Sequence, residues 1–475
     1  MSQEAWIRTL EEIVGSRYVL TDPMALLPYS CDGYTLAQAE PRGVVLPRST
    51  EEVQAIVKVL SRAGIPFLAR GAGTSLSGGA TPLEGAVILH LSRMNQILEI
   101  DPENEVVVVE PGVVNADITR AVDPYGYFYA PDPSSQQACT IGGNFAENSG
   151  GPHCLKYGVT VNHLVAAEVV TVEGEVVKLG NLTGEVEGPD WLGLLVGSEG
   201  TLAIATKIWL RLTKKPAASQ TILALFDDVG EASQAVSDIV ATGIIPAALE
   251  MMDQLAIEAV EQGPYPVGYP KNLAAVLLIE VDGQAEEVRA TAEAVEVTLR
   301  THLVREVRQA ETLEEKTRWW ANRKTAFGAM GLMSAQYYVQ DGVIPRSRLP
   351  ETLACIAEIA RRYDVRIANV FHAGDGNLHP LLLYDGRDPL MVGRVIQAGS
   401  EILATCVEFG GSITGEHGVG IEKLEEMRKQ FSESDLAAQS ALKQALDPWG
   451  LLNPGKLFPT AASCHEATHV PSTKR

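Results

Sequence analysis

A chain of 475 residues, 46% hydrophobic and 21% charged, has the composition of an ordinary globular protein and the length of two or three domains. Its formal charge of −22 argues against a nucleic-acid partner, which would require a basic stripe. Six cysteines (31, 139, 154, 355, 406, 464) lack metal or redox spacing. The start, MSQEAWIRTLEEIVG, has neither a basic run nor an apolar core, and no apolar run reads as long enough to cross a bilayer. A cytoplasmic protein without a transmembrane segment of its own is expected.

Residues 1–40 read as a helix and an irregular stretch. A strand over 43–46, an amphipathic helix over 51–63 and a strand over 65–69 then lead into LARGAGTSLSGGA (68–80). Glycines there alternate with Thr74, Ser75 and Ser77, so successive N–H groups can line one anion-holding concavity. The stretch reads as a phosphate cradle or as a glycine-rich loop without a ligand. A P-loop would need Lys where Gly79 stands, and a Rossmann fingerprint a glycine where Leu76 stands.

Strands follow at 86–90 and 106–110, the second an all-β-branched run that suits a strand covered on both faces, then a helix over 115–123. A second glycine cluster, TIGGNFAENSGG (140–151), lacks side chains on both sides of a short helix-like run, as if a flat ligand lay against backbone. Glu173-Gly174 between two β-branched runs predicts a two-residue hairpin turn. A third glycine site, 197–204, leads into a strand ending near Leu212, and Lys214-Lys215-Pro216 marks a boundary.

Beyond it the rhythm changes. Strands at 221–226, 246–250, 274–281, 336–344 and 366–371 are interleaved with helices at 230–242, 284–301 and 349–363. That is the pattern of an α+β domain whose antiparallel sheet is covered by helices. Helices over 390–409 and 432–446 close the fold, and 461–475, with His465 and His469, reads as a frayed tail.

His372-Ala-Gly-Asp-Gly-Asn-Leu-His379 reads as a hairpin centred between Asp375 and Gly376. His372 would then face His379 with Cβ atoms roughly 4.5–5.5 Å apart. The pair suits two imidazoles meeting one metal, or two strand histidines capping a turn. Glu416-His417, between Gly415 and Gly418, offers a carboxylate and an imidazole on a loop, or an ordinary loop salt bridge. Adjacent side chains in extended backbone point opposite ways, so Glu416 could bind the metal while His417 faces substrate. Two histidines and a carboxylate with open positions fit Zn²⁺, Mn²⁺ or Fe²⁺.

PRGVVLPRSTEEV (41–53), the two glycine clusters, LVGSEGTLAI (195–204), HAGDGNLHP (372–380), TGEHGVG (414–420) and NPGK (453–456) follow one another in an order that resembles the FAD-linked oxidases of the vanillyl-alcohol-oxidase type. The likeness covers roughly residues 20–459 and is greatest to the glycolate-oxidase D-subunit type, whose relatives act on D-lactate and D-2-hydroxyglutarate. It implies an α+β architecture. After an N-terminal helix and extension (1–40) come a two-part FAD-binding domain (41–215) and an α+β cap domain with an antiparallel sheet and the metal site (216–425). A C-terminal helical segment (426–460) returns to the flavin.

The resemblance also implies roles. Arg70, Gly71, Ala72, Gly73, Thr74, Ser75 and Gly78 would hold the FAD pyrophosphate. Pro131, Asp132, Gly142, Gly143, Asn144, Asn148, Ser149, Gly150, Tyr157, Glu199, Gly200 and Ile204 would flank the rest of the cofactor, and Asn453 would return to it. Thr74 stands where flavin-tethering members carry histidine, so the FAD would be non-covalent. His372, His379 and Glu416 match the family's ligands for one divalent metal, Zn, Mn or Fe, and His417 its catalytic base. Arg323 matches the arginine that forks the substrate carboxylate, with Lys324 beside it; on pattern alone it could be a solvated helix-face residue.

The implied reaction oxidises a D-2-hydroxy acid to the 2-oxo acid by hydride transfer to flavin N5. Leu381 and Val339 replace the Asn and Lys of hydroxyglutarate-oxidising relatives, which favours glycolate or D-lactate. D-2-hydroxyglutarate oxidation, a non-catalytic FAD-binding subunit and a metallohydrolase on a vestigial flavin fold are the alternatives. A same-fold NADPH-dependent reductase fits less well, since those enzymes lack the metal set. No CxxC clusters for iron–sulfur centres occur. A second FAD-binding subunit and an iron–sulfur subunit are therefore candidate partners, and could hold the protein peripherally on the inner membrane.

Overall fold

The computed structural model describes residues 3–183 and 188–459. The chain forms two compact units, Met1–Gly150 with Val159–Lys214 and Glu416–Arg475, and Gly151–Gly158 with Lys215–Gly415. Glu416 and His417 thus group with the first unit rather than with a cap ending at 425, and Tyr157 with the second. The tail at 461–475 lies outside the described residues.

In the first unit β1 (Val19–Leu20), β2 (Gly43–Val45), β3 (Phe67–Arg70) and β4 (Val87–His90) form a sheet in the order β1-β2-β4-β3. β2, β4 and β3 are parallel, and the Thr50–Ala63 helix supplies the crossover that parallel pairing demands. Sequence sets both helix ends: Ser49 accepts from Glu52 N, and Gly64 takes the left-handed φ of 63°. Val53, Ile56, Val57 and Leu60 recur at helical spacing and are buried against Trp6, Leu10, Phe67, Val87 and Leu89. The C-terminal segment comes back to this sheet, where Phe67 N donates to Leu451 O and Asn453 N to Phe67 O, both at 2.8 Å.

The same unit continues with β5 (Ile97–Asp101), β6 (Val106–Val109), β7 (Tyr127–Phe128), β8 (Leu164–Val170), β9 (Val176–Gly180), β10 (Ile204–Arg211) and β11 (Thr213–Lys214). An antiparallel sheet runs β5-β6-β10-β8-β9, and β11 pairs with β7. Val107 and Val109 enter one apolar cluster and Val106 and Val108 another, so β6 is covered on both faces. The β8–β9 hairpin differs from expectation by one residue. Thr171 N donates to Glu175 O and Gly174 N to Thr171 O, leaving a three-residue loop in which Gly174 has φ 77°.

The second unit is built on β12 (Ala218–Phe226), β13 (Ala248–Asp253), β14 (Ala275–Gly283), β15 (Val304–Gln309), β16 (Gln336–Val339), β17 (Gly342–Val343), β18 (Arg366–His372) and β19 (Asn377–Tyr384). They form one antiparallel sheet ordered β15-β12-β14-β13-β18-β19-β16, with β17 also on β19. Leu223, Leu225, Met252, Val276, Leu278, Val370 and Leu381 pack there with Trp319 and Trp320 of the Leu313–Lys324 helix. The expected single strand over 336–344 is interrupted at the buried Gln340-Asp341 pair.

The Pro389–Glu408 helix is long and apolar enough to cross a bilayer by length and composition, a feature missed from the sequence. Its Val395, Ala398, Gly399, Ile402, Leu403 and Cys406 form one buried stripe, the pattern of a helix lying on its own domain's core.

Candidate active site

The first two glycine clusters lie against each other because glycine has no side chain. A Cβ on Gly71 would sit 2.2 Å from Thr140 Oγ1, one on Gly79 2.7 Å from Glu147 Oε1, and one on Gly142 2.6 Å from Pro111 Cβ. Gly143 and Gly200 differ: a Cβ on Gly143 would meet only Thr140 Oγ1 at 3.7 Å, and one on Gly200 nothing within 4 Å. Three non-glycine residues of these stretches hold positive φ, Asn148 at 54°, Glu199 at 53° and Asn453 at 42°. Bare, open backbone between strained anchors fits a long flat cofactor lying on the main chain.

Most of the side chains singled out in this unit are occupied in shaping that surface. The buried Arg70 guanidinium donates to Cys31 O at 2.7 Å and Ala80 O at 2.8 Å. It therefore braces the glycine loop through the backbone on either side of it. Asn144 Oδ1 accepts from Asn115 Nδ2 at 3.0 Å, Asn148 Oδ1 from Val161 N at 2.9 Å, and Pro131 O from Asn115 Nδ2 at 3.1 Å. Asn453 Nδ2 donates to Gly79 O at 3.0 Å and Glu199 O at 2.7 Å. Ile204 is core, and in the second unit the Tyr157 hydroxyl donates to Asp282 at 2.6 Å.

The turn that carries His417 is stapled to the first glycine loop. Ser77 Oγ donates to His417 O at 2.8 Å, while Ser77 O accepts from Ile421 N at 3.0 Å and Glu422 N at 3.1 Å. The Glu199 carboxylate accepts from Val419 N at 2.6 Å and Gly420 N at 2.7 Å. Burial pushes the Glu199 carboxyl up despite those two bonds. Burial, and then the charge of Glu199, holds Glu147 well above the carboxylate range. His417 Nε2 stands 3.7 Å from Glu416 Oε1.

In the second unit the hairpin register differs from the expected one. His372 pairs with Asn377 and His379 with Val370, so Ala373–Gly376 is a four-residue turn and the histidines are diagonal neighbours on one face. Gly376 has φ 84°, and a Cβ there would lie 2.2 Å from Ile344 O. The imidazoles still meet, with centroids 5.0 Å apart and planes at 90°, and each offers a ring nitrogen within 4.8 Å of the other's. Both rings are buried.

Three buried groups surround the pair. His372 Nδ1 lies 2.8 and 3.0 Å from the Glu250 carboxylate oxygens, and Arg323 Nη2 forms an ion pair with the same carboxylate. Arg323 is 2% exposed, which rules out the solvated helix-face reading; its Nε is buried without a hydrogen-bond partner among the described residues. Asp341 Oδ1 stands 3.8 Å from His379 Nδ1 and accepts from Asn377 Nδ2 at 2.9 Å. Its Oδ2 accepts from Thr414 Oγ1 at 2.5 Å and Gly415 N at 2.9 Å, fixing the chain up to the residue before Glu416. Two imidazoles with oriented ring nitrogens and buried carboxylates behind them fit a divalent metal.

Comparison with known families matches "FAD linked oxidases, C-terminal domain" over residues 215–457 and "FAD binding domain" over residues 41–180. The chain belongs to the FAD-linked oxidase family. It is 47% identical over 466 residues to glycolate oxidase subunit GlcD of Escherichia coli, covering 98% of this chain and 93% of that one. Against the Bacillus subtilis GlcD subunit the identity is 42%, over 91% of this chain and 92% of the relative. D-lactate dehydrogenase of Anaerostipes hadrus is 33% identical, over 88% and 90%. Among solved structures, p-cresol methylhydroxylase with substrate bound superposes with a TM-score of 0.81 at 19% identity, covering 96% of each chain. The 4-ethylphenol oxidase of Gulosibacter chungangensis gives 0.81 at 20%, over 97% of this chain and 98% of that one. The fold is thus that of the p-cresol methylhydroxylase type, and FAD is the cofactor of this oxidoreductase.

In this FAD-linked oxidase three polar groups escaped the sequence reading. Glu250 stands between Leu249 and Met251-Met252, where a carboxylate within an apolar run was itself a signal. Asp341 drew no reading from the sequence, and Ser77 read only as one hydroxyl of a loop; their partners lie far along the chain.

Proposed function

We propose that this FAD-linked oxidase converts a small D-2-hydroxy acid, glycolate or D-lactate, to the 2-oxo acid. The observation that carries the reading is the buried imidazole pair His372–His379, backed by Glu250 and Asp341 and accompanied by Arg323. Sequence relatives named glycolate oxidase subunit and D-lactate dehydrogenase support the same chemistry.

When bound, FAD supplies the two-electron acceptor, and a divalent ion, Zn²⁺, Mn²⁺ or Fe²⁺, supplies a Lewis acid that lowers the pKa of a substrate hydroxyl. His372, His379 and Glu416 are the proposed metal ligands, Glu416 being the next residue after the anchored Gly415. His417 takes the hydroxyl proton as general base. Arg323 binds the substrate carboxylate: its unsatisfied buried Nε costs about 1–3 kcal/mol, which an entering carboxylate would relieve. Lys324 follows it in the chain as a second basic candidate.

Val339 and Leu381 are direct cross-strand partners in the apolar core, so neither offers a hydrogen bond to a second, distal carboxylate. That supports glycolate or D-lactate over D-2-hydroxyglutarate. Electrons then leave through a quinone, a soluble carrier or partner subunits. A second FAD-binding subunit and an iron–sulfur subunit are the proposed partners, in the cytoplasm or peripherally on the inner membrane. Anaerobic bleaching of the flavin by D- and L-2-hydroxy acids tests the proposal. Glycolate or D-lactate should act with higher kcat/KM than D-2-hydroxyglutarate, and the reverse order would overturn the substrate reading.

A further inference from the structure

Glu250 is a carboxylate where the strand's own pattern calls for a hydrocarbon. On β13 it shares a face with Ala248 and Met252, which enter the apolar core, and it is 1% exposed. A buried carboxylate is retained at such a position only with partners, and it meets partners on two different elements. One is His372 on β18, whose Nδ1 meets both carboxylate oxygens at 2.8 and 3.0 Å. The other is Arg323, brought in by the Leu313–Lys324 helix.

We infer that Glu250 is a positioning residue that orients the metal ligand His372 and the substrate-binding Arg323 through one carboxylate. This rests on the proposed metal reading. A carboxylate facing Nδ1 accepts a hydrogen bond from Nδ1–H, which fixes the tautomer and leaves Nε2 as the lone-pair donor. The same charge holds the guanidinium of Arg323 in place while its Nε stays uncommitted among the described residues. At His379 the Nδ1 lies 3.4 Å from Gln340 O and 3.8 Å from Asp341 Oδ1.

Glu250→Gln keeps the shape and removes the charge. Zn²⁺ affinity is measured on the purified flavoprotein by competition with a chelating dye, with flavin content and melting temperature as controls on folding. The inference predicts metal affinity weakened about 10–100-fold, as for other groups behind metal-bound histidines. A raised KM for D-lactate and undiminished flavin content should accompany it. Glu250→Asp, which keeps the charge, should recover part of both losses, and it gives the same readout if the Gln variant loses its flavin. A parent protein that binds Zn²⁺ together with variants of unchanged affinity and KM overturns the role of Glu250. A parent protein that binds no divalent metal overturns the metal reading itself and this inference with it.

Discussion

Ser77 Oγ donates to the carbonyl oxygen of His417 at 2.8 Å, although the two residues are 340 positions apart in sequence. The hydroxyl of the first glycine loop therefore sets the backbone of the proposed base. Glu199 takes the next two amides, of Val419 and Gly420, so glycine loop, GSEG turn and His417 turn form one hydrogen-bonded piece.

Ser77→Ala removes one bond from that piece without touching the imidazole. A single intramolecular hydrogen bond is worth about 0.5–1.5 kcal/mol, so misplacement of His417 should lower kcat by up to about tenfold. Flavin content and KM should stay near the parent values. Steady-state kinetics on flavin-replete protein decide it; an unchanged kcat would show that the bond does not position the base.

His90, at the end of β4, has its imidazole pushed down to about 4, first by burial and then by the charge of Arg70. Its Nδ1 lies 2.8 Å from Ser92 Oγ, and its ring stands edge-on to Tyr29. Between that value and the ordinary histidine value of about 6.5 the unfolded chain binds the proton and the folded one does not, so stability rises with pH across this window. Below about 4 both states are protonated and the folding penalty is complete. His90→Gln should flatten the pH dependence of the denaturation midpoint between pH 4 and 6.5. Parallel parent and variant curves there would contradict the assignment.

By the resemblance drawn from the sequence, Thr74 matches the position of the flavin-tethering histidine, so acid precipitation should release the yellow colour into the supernatant. Flavin that stays with the pellet would mean a covalent bond elsewhere.

The parts legible in the sequence were those governed by local rules. The helix read over 51–63 from its apolar spacing is found at Thr50–Ala63, and the β-branched run of β6 announced a strand covered on both faces. The histidine pair was found from spacing, but its register was not. Asp-Gly suggested a two-residue turn, whereas the Asp375 side chain captures Asn377 N at 3.1 Å and leaves Asp375-Gly376 as the second half of a four-residue turn. Strand β15 escaped because VREVRQ is a charged edge strand with weak alternation. The partners of Arg70, Ser77 and Glu250 could not be read at all, since those contacts join distant segments that only the folded chain brings together.

The central claim is that His372 and His379 hold a metal needed for oxidation while the flavin is held by residues of the other unit. His379→Ala, assayed for metal content, flavin spectrum and anaerobic reduction by D-lactate, tests it most directly. The account predicts normal flavin loading, loss of the metal and loss of nearly all flavin reduction. If His379→Ala reduces its flavin at the parent rate, the histidine pair is structural and the proposed mechanism is wrong.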